Sequence, residues 1–293
     1  MPRPDRVRPS VLVLLCVLLA LSACASSPSA KPAPASTPSA RLAYAALGDS
    51  YSAGPLIPVT DVADGCLRSS QNYPSLVAKK LRAKLTDRTC SGADTDDVDR
   101  AQYPAVPPQR TALDDKTRLV TVGLGGNDQM VFRSLVDRCP SLGAADPDGS
   151  PCRDAFTEGG KDVLAQQLAT TAERLTAVLD EVHERAPNAK VLAVGYPQIV
   201  DADHVCAELP LARGDFAYAE RVNKALTDAV QKAAAATDST YVDVWTASKD
   251  HDICAEDPWI NGNVDDKARA AKFHPFAVEQ QAVAELVLAA SES

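Results

Sequence analysis

A serine stands where a predicted strand gives way to a helix. Residues 42–47 form an apolar run that predicts a strand, and Gly48, Asp49 and Ser50 follow it directly. A serine hydroxyl becomes a nucleophile when a neighbouring base can take its proton. The same tripeptide is also an ordinary turn, in which Ser50 would only cap the next helix. Ser50 is therefore a candidate nucleophile that other residues of the chain must support.

Two further turns carry groups that could stabilise a developing negative charge. The predicted strand at residues 119–124 runs into two glycines and Asn127, whose side-chain amide can donate a hydrogen bond to an oxyanion. After a short predicted strand at residues 88–90, the backbone N–H of Gly92 is a second candidate donor. Each pattern taken alone is also typical of a simple glycine-containing turn.

Four histidines are the candidates for a general base, because the pKa of histidine lies near neutral pH. His183 falls among charged residues of a predicted helix, and His204 and His251 lie in loops shortly before cysteines. We expect these three at the surface. His274 stands before a proline at the junction of a loop and the last predicted helix, a position that suits a fixed imidazole.

The rest of the chain alternates between strand and helix signals from about residue 41 onward. Short apolar or β-branched runs predict strands at residues 42–47, 88–90, 119–124, 191–194 and 241–244. Longer patterns predict helices at residues 73–85, 160–186, 215–236 and 275–290. This alternation predicts an α/β protein with a parallel sheet between helical layers. Ligands bind at the carboxyl ends of strands in such sheets, which is where Ser50 and Asn127 stand.

The bulk composition excludes some classes of partner. The chain has 293 residues, 45% of them hydrophobic and 24% charged, with a formal net charge of -9. Nucleic-acid binding requires a clustered basic surface, and the chain contains no run of lysines and arginines. We therefore expect no nucleic-acid partner.

The N-terminus has the features of an export signal. Residues 1–23 combine three arginines with an apolar run and are predicted to be a lipoprotein signal peptide. Leu21-Ser22-Ala23-Cys24 has the form of a bacterial lipobox, so Cys24 would carry the lipid anchor. Residues 24–40 are rich in serine, alanine and proline, which predicts a disordered tether before a domain at residues 41–293. A plain signal peptide cleaved near Ala23 is the alternative.

Six cysteines remain after the predicted signal peptide and lipidation site. An even number in an exported chain indicates disulfides, although six cysteines allow about fifteen connectivities. A zinc site is the rival interpretation, but the chain has no CxxC motif and no paired His–Cys spacing to support it. The six are Cys66, Cys90, Cys139, Cys152, Cys206 and Cys254.

Ser50, Gly92, Asn127 and His274, in this order along the chain, resemble the namesake residues of the SGNH/GDSL hydrolase superfamily. The resemblance covers residues 44–289, nearly all of the predicted domain. It implies a flavodoxin-like three-layer α/β/α sandwich with about five parallel strands. It also implies that Ser50 is the nucleophile, that His274 is the base, and that the oxyanion hole consists of the N–H groups of Ser50 and Gly92 and the amide of Asn127. No metal or organic cofactor is expected.

The chain is most similar to one branch of the superfamily, the secreted esterases and lipases with three disulfides. The segments that carry this closer resemblance are residues 241–254 and 259–262. In that branch the cysteines pair in sequence order. The resemblance thus implies the pairs Cys66–Cys90, Cys139–Cys152 and Cys206–Cys254.

One expected residue is missing. Many members of the superfamily place an aspartate three residues before the catalytic histidine, where this chain has Ala271. Some members of the three-disulfide branch hold the imidazole with a main-chain carbonyl instead, and the matching residue here is Trp259. A carbonyl can fix the tautomer, although it stabilises imidazolium less than a carboxylate does. Asp265 or Asp266 is the alternative partner for His274.

The resemblance implies a serine esterase or lipase that hydrolyses lipid or other carboxylic esters through an acyl-enzyme on Ser50. Phe276 departs from the usual asparagine of the family, which leaves the substrate open. The alternatives are a polysaccharide O-deacetylase of the same fold and a binding lipoprotein without turnover. No repeat or heptad pattern is present, so we expect a monomer. It would meet its ester substrate at the outer face of the cell membrane, held there by the lipid anchor, or after release outside the cell.

Overall fold

Five parallel strands form the centre of the structure, a computed structural model that describes residues 41–293. The predictions for residues 1–23, residues 24–40 and Cys24 lie outside the described residues. The strands are β1 (Ala43–Gly48), β2 (Lys84–Asp87), β3 (Leu119–Gly123), β4 (Lys190–Val194) and β5 (Thr240–Val242). Their spatial order is β2-β1-β3-β4-β5, with every neighbouring pair parallel. The predicted α/β class and the five-stranded parallel sheet are confirmed.

Nine α-helices cover the two faces of this sheet or connect its strands within the described residues. They are α1 (Ser50–Ala53), α2 (Tyr73–Leu81), α3 (Val131–Arg133), α4 (Cys139–Gly143), α5 (Pro151–Ala155), α6 (Val163–Arg185), α7 (Phe216–Ala236), α8 (Val244–Ala247) and α9 (Ala277–Glu292). Short 3-10 turns lie at Thr95–Val98, Gln109–Ala112, Asp128–Met130 and Arg213–Asp215, and a π-helical turn lies at Ser134–Arg138. Two small antiparallel hairpins pair Thr60–Asp61 with Arg68–Ser69 and Thr157–Glu158 with Lys161–Asp162. Along this part of the chain no helix is both long and apolar enough to span a bilayer.

The sheet divides the hydrophobic core into two halves. Side chains alternate between the faces of a strand, so Ala45 and Leu47 of β1 join one half while Tyr44 and Ala46 join the other. The first half packs against α6 and α7, and the second against α2 and α9. Because both faces are covered, the strands are apolar along most of their length, which explains why they were recognisable as short hydrophobic runs.

The second strand lies earlier in the chain than the sequence predicted. Helix α2 ends at Leu81 because Arg82 adopts a left-handed conformation (φ 52°), and the chain then enters β2. The predicted helix at residues 73–85 is therefore too long, and the predicted strand at residues 88–90 is wrong. Lys84–Asp87 has only one strongly apolar residue, so hydrophobic patterning could not distinguish this sheet-edge strand from the end of a helix.

Two other element boundaries differ from prediction. The last helix begins at Ala277, because Pro275 forms a bridge to Ile260. The chain segment at residues 160–162 belongs to a hairpin, and α6 starts only at Val163 with Asp162 as its N-cap. Caps and short hairpins set these ends, and hydrophobic periodicity carries little information about them.

Three disulfides close loops around the sheet. One joins the first small hairpin to the segment after β2, one joins α4 to α5, and one joins the loop after β4 to the loop after α8. The pairs are Cys66–Cys90, Cys139–Cys152 and Cys206–Cys254. The pairing implied by the three-disulfide branch is thereby confirmed.

A buried carboxyl group stands in the first turn of α9. Gln280 accepts a hydrogen bond from the Tyr73 N–H (2.8 Å) and donates to the Tyr51 carbonyl (2.8 Å), which joins α9 to α2 and α1. Its neighbour Glu279 is also buried and accepts from the same amide (2.7 Å). Burial raises the pKa of Glu279 to about 8, so this carboxyl holds its proton at neutral pH.

Replacing Glu279 by glutamine should make stability less dependent on pH. In the unfolded chain the group ionises near its ordinary value of 4.5, so the folded protein binds more protons between that value and about 8. The contribution of Glu279 to the free energy of unfolding is fully present below pH 4.5 and decreases as the pH rises from 4.5 to about 8. We expect Glu279→Gln to match the wild-type free energy of unfolding at pH 4.5 and to exceed it at pH 8 in urea denaturation.

The matched control is Glu285→Gln, which changes an exposed glutamate of the same helix. Its free energy of unfolding should follow the wild-type value across the pH range. A Glu279→Gln protein that loses stability with pH as steeply as the wild type would show that this carboxyl is not protonated in the folded state.

Candidate active site

The carboxyl ends of β1 and β3 lie side by side, with Gly48 paired to Gly123. The strand order changes direction here, since the chain continues from β1 outward to β2 and then returns to β3. Crevices at such a point are where open α/β sheets bind ligands. Ser50 follows β1 and Asn127 follows β3, so the fold brings both residues to this crevice.

The turn that holds Ser50 is fixed by buried groups. Ser50 is the first residue of α1, and Asp49 caps this short helix by accepting a hydrogen bond from the Tyr51 N–H (2.8 Å). Gly48 has no room for a side chain, because a Cβ there would lie 2.3 Å from the Ser52 Oγ. Burial raises the pKa of Asp49 to about 7. Asp49 thus organises the turn that carries Ser50.

The hydroxyl of Ser50 meets the imidazole of His274. The distance between Ser50 Oγ and His274 Nε2 is 2.8 Å. On the other side of the ring, His274 Nδ1 lies 2.6 Å from the main-chain carbonyl of Lys272. A carbonyl can only accept, so Nδ1 carries the proton and Nε2 of the neutral ring is free to accept from the serine. This is the tautomer that a general base requires.

The carbonyl that orients His274 belongs to Lys272, and the prediction for Trp259 is wrong. The Trp259 carbonyl accepts from the Phe276 N–H instead (2.8 Å). Phe273, between Lys272 and His274, adopts a left-handed conformation (φ 59°). This turn directs the Lys272 carbonyl towards the His274 ring. A main-chain carbonyl was predicted as the partner of His274, but the wrong residue was chosen. The Lys272 carbonyl reaches the ring only because of a local turn, which the sequence did not reveal.

Neither of the alternative acids is bonded to the imidazole. Asp265 accepts a hydrogen bond from the Lys272 N–H (2.9 Å), so it holds the residue whose carbonyl orients His274. Asp266 accepts from the Ala268 N–H (3.0 Å) within an exposed turn. Asp265 therefore supports the ring indirectly, through the main chain.

The segment that carries His274 is attached to the nucleophile turn. The Tyr51 hydroxyl donates to the Phe273 carbonyl (2.8 Å), and the Ala271 N–H donates to the Pro55 carbonyl (3.0 Å). The imidazole also packs against the rings of Tyr51 and Phe132, with centroids 5.5 and 5.8 Å away. These contacts leave the ring half-buried, and burial lowers the pKa of His274 below its ordinary value of 6.5.

The two other predicted donors converge on the same end of the sheet. The Cys90 N–H donates to the Gly48 carbonyl (2.9 Å), which places the Gly92 turn beside the end of β1. The Asn127 amide donates to the Ala93 carbonyl (2.9 Å) in that turn and keeps a second N–H for another acceptor. Within residues 41–293 the backbone N–H groups of Ser50 and Gly92 have no acceptor. Three N–H groups at this end of the sheet thus remain available as donors.

Comparison with known proteins identifies the family. Residues 46–278 match the GDSL-like Lipase/Acylhydrolase family. The chain belongs to this family. The GDSL hydrolase is 43% identical over 260 residues to Lipase 2 of Streptomyces coelicolor, which covers 87% of this chain and 86% of the relative. It is also 31% identical over 258 residues to an esterase of Streptomyces scabiei, which covers 75% and 74% of the two chains.

Solved structures agree with this assignment. The phospholipase A1 of Streptomyces albidoflavus superposes with a TM-score of 0.70 at 28% identity, covering 85% of this chain and 99% of that one. The extracellular lipase of Streptomyces rimosus gives a TM-score of 0.69 at 28% identity, covering 85% and 98%. The five-stranded sheet and its helical layers are thus the fold of the GDSL ester hydrolases.

A buried tyrosine that the sequence analysis overlooked joins the two central turns of the GDSL hydrolase. The Tyr196 hydroxyl accepts from the Gly126 N–H (2.9 Å) and donates to the Asp49 carboxylate. Asp128 holds the next part of the same loop by accepting from both the N–H and the hydroxyl of Thr95 (2.9 Å each). The position of Tyr196 just after a predicted strand was the available signal, because it puts the residue at the same sheet edge.

A groove of about 390 Å³ opens beside His274. Apolar side chains supply much of its wall, and charged groups stand along its rim. The lining residues are Leu56, Leu67, Phe132, Arg133, Val136, Asp137, Asp265, Ala271, Lys272, Phe273 and His274. Lys272 Nζ pairs with Asp137 (3.1 Å) across this rim. The groove thus offers a partly apolar surface beside His274, the residue that contacts Ser50.

The three remaining histidines lie elsewhere. His183 contacts the Ser239 hydroxyl (3.0 Å), His204 is paired with Asp252 (2.7 Å), and His251 stacks on Trp259 at a centroid distance of 4.3 Å. His274 alone among the four is bonded to Ser50 in the described chain.

The imidazole of His274 should titrate below 6.5. Burial disfavours the charged ring more than the Lys272 carbonyl and the negative charge of Asp265 favour it. Proton NMR of the histidine ring signals, assigned by comparison with His274→Ala, measures this pKa. Asp265→Asn should lower it further, because the charge is removed while an amide oxygen can still accept from the Lys272 N–H. Asp266→Asn is the control and should leave it unchanged. A His274 pKa above 6.5 would contradict the assigned environment.

Proposed function

We propose that this GDSL hydrolase is a serine esterase of the lipase type, acting through an acyl-enzyme on Ser50 with His274 as general base. The observation that carries the proposal is the 2.8 Å contact between Ser50 Oγ and His274 Nε2, with Nδ1 oriented by a carbonyl. Nucleophile, base and orienting group within hydrogen-bond reach of one another are the requirement for serine activation.

The reaction follows from the directions of these hydrogen bonds. His274 Nε2 takes the proton of Ser50 as Oγ bonds to the ester carbonyl carbon. The carbonyl oxygen becomes an oxyanion, which accepts from the N–H groups of Ser50 and Gly92 and from the free N–H of Asn127. His274 then gives its proton to the leaving alkoxide. Water, deprotonated by the same imidazole, cleaves the acyl-enzyme and restores the serine.

Charge stabilisation rests mainly on the oxyanion side of this site. A neutral carbonyl stabilises the imidazolium less than a carboxylate would, and the nearest negative charge that raises the pKa of His274 is that of Asp265. Donors aimed at an oxyanion each contribute about two to three orders of magnitude in rate. The acceptor-free amides at Ser50 and Gly92 supply such donors.

We further propose that the substrate carries an apolar acyl chain. The groove beside His274 has Leu56, Leu67 and Val136 in its wall, and such a surface favours a hydrocarbon chain over a sugar. The relatives named Lipase 2 and phospholipase A1 support a lipid ester. A polysaccharide O-deacetylase would need a polar groove, and a binding protein without turnover would not need an activated serine.

Export and anchoring are part of the same proposal. Three disulfides are typical of proteins that fold outside the cytoplasm. The similar protein of Streptomyces rimosus is described as an extracellular lipase. The lipobox ending at Cys24 supports a signal peptide at residues 1–23 and a lipid-anchored tether at residues 24–40, followed by the hydrolase domain at residues 41–293. The enzyme would then act as a monomer at the outer face of the membrane.

Replacing either catalytic residue should abolish ester hydrolysis. Ser50→Ala and His274→Ala remove the attacking oxygen and its base, and each should lower kcat by about three orders of magnitude or more. The assay is hydrolysis of p-nitrophenyl esters from acetyl to palmitoyl. His183→Ala changes a histidine outside the site and should keep wild-type turnover. Undiminished hydrolysis by Ser50→Ala, in protein with the wild-type melting temperature, would refute the mechanism.

Narrowing the groove should shorten the preferred acyl chain. Leu67→Trp places a larger side chain in the wall, so kcat/KM for the palmitoyl ester should fall about 10-fold or more while the acetyl ester changes little. Val62→Trp is the control, because Val62 is 67% exposed near the same hairpin and does not line the groove. An equal loss on both esters in Leu67→Trp would mean that the acyl chain binds elsewhere.

A further inference from the structure

A second group of chemically active side chains lies outside the Ser50–His274 site. Asp201, His204 and Asp252 each offer one potential metal-ligand atom, and these atoms all lie within 4.8 Å of one another. We propose that these three residues bind a Zn²⁺ ion that joins the loop after β4 to the loop after α8. The site shares no residue with the catalytic machinery.

The donor atoms suit zinc. Zn²⁺ prefers one or more imidazole nitrogens with carboxylate oxygens at about 2.0–2.2 Å, in a tetrahedral arrangement that places ligand atoms roughly 3 to 4 Å apart. The 2.7 Å contact between His204 Nδ1 and Asp252 Oδ2 is a hydrogen bond, so Zn²⁺ would replace its proton and the two atoms would separate to the ligand spacing. A ligand atom of Asp201 lies within 4.8 Å of both. Two carboxylates balance the double positive charge, and a water molecule would complete the fourth position.

Asp252 is held ready for this role. Its side chain is buried, and one carboxylate oxygen accepts from the Cys254 N–H (2.8 Å) while the other faces His204. A buried carboxylate needs a cation or several donors to offset its loss of hydration. A fixed outer-shell hydrogen bond of this kind also orients a metal ligand.

The disulfide between Cys206 and Cys254 sets the distance between the ligands. His204 precedes Cys206 by two residues, and Asp252 precedes Cys254 by two residues. The bond therefore keeps the two ligands opposite each other on separate loops before any ion arrives. Preorganisation of this kind lowers the cost of ordering a site and raises affinity.

Asp201 would supply the third ligand atom. One of its oxygens accepts from the Asp203 N–H (2.8 Å), and within the described residues the other has no hydrogen-bond partner. No lysine or arginine in this part of the chain pairs with Asp201 or Asp252. The Asp252 hydrogen bond and, more weakly, the charge of Asp201 raise the pKa of His204, so Asp201 also favours the ion pair. A divalent cation would in addition bind the free Asp201 oxygen as a third ligand.

The test is Zn²⁺ binding by the purified protein with its disulfides intact. Equilibrium dialysis followed by metal analysis should find one additional tightly bound Zn²⁺ ion per chain in the wild type. Asp201→Asn, His204→Ala and Asp252→Asn should each lack this ion. Loss of an outer-shell partner typically weakens metal binding about 10- to 100-fold. Loss of a direct ligand should weaken Zn²⁺ binding by more than that. Added Zn²⁺ should raise the melting temperature of the wild type, and a chelator should reverse the rise.

Asp201→Asn is the most informative variant, because it removes one proposed ligand and leaves the His204–Asp252 contact intact. Its amide oxygen can still accept from the Asp203 N–H. Without metal this variant should melt with the wild type, and with Zn²⁺ only the wild type should gain stability. The control is His251→Ala, a histidine whose Nδ1 lies 3.9 Å from the Asp257 carboxylate but which has no third ligand in the cluster. Equal Zn²⁺ binding by wild type and Asp201→Asn, or none by either, would overturn the proposal.

Discussion

The contact between Ser50 and His274 joins two points that are 224 residues apart in the chain, and most of the surrounding structure serves to hold them together. Ser50 is placed by the end of β1, while His274 comes from a long segment between α8 and α9 with no strand of its own. Loops without regular structure are mobile unless their backbone groups are bonded. Here the hydroxyl of Tyr51, the neighbour of Ser50, donates to the carbonyl of Phe273, the neighbour of His274.

Burial is the means by which these contacts become rigid. Asp49 is fully enclosed, and its carboxylate links the nucleophile turn to Tyr196, which in turn holds the Gly126 amide. Inside a protein such bonds are stronger than at the surface, because no water competes for the same donors. Burial disfavours the charged form of this carboxyl group. The pKa of Asp49 is therefore raised above the value that the group has in water. Tyr196 thereby links the turn of Ser50 to the loop of Asn127.

Much of the fold could be predicted from the sequence, because the central strands are buried on both faces and appear as apolar runs. The edge strand β2 could not, since Lys84–Asp87 is polar and is recognised only by its pairing with β1. The candidate site, too, could be predicted only in part. Residue types and chain order pointed to Ser50 and His274, which the structure brings into contact. The carbonyl of Lys272 could not be found, because every residue has one and only a local turn selects it.

The choice of a carbonyl as the partner of His274 has a chemical consequence. An aspartate would stabilise the imidazolium and would need its own bonds to stay ionised when buried. The main-chain carbonyl fixes the tautomer without adding a buried charge, and the ring remains neutral at physiological pH because its pKa is lowered. Such a base is ready to accept a proton but holds it weakly once the proton has moved. In the proposed mechanism it would return the proton readily to a leaving alkoxide, and the stabilisation of the transition state would have to come from donors facing the oxyanion. The N–H groups of Ser50 and Gly92, which have no acceptor in residues 41–293, are the donors that the proposed mechanism would use for this.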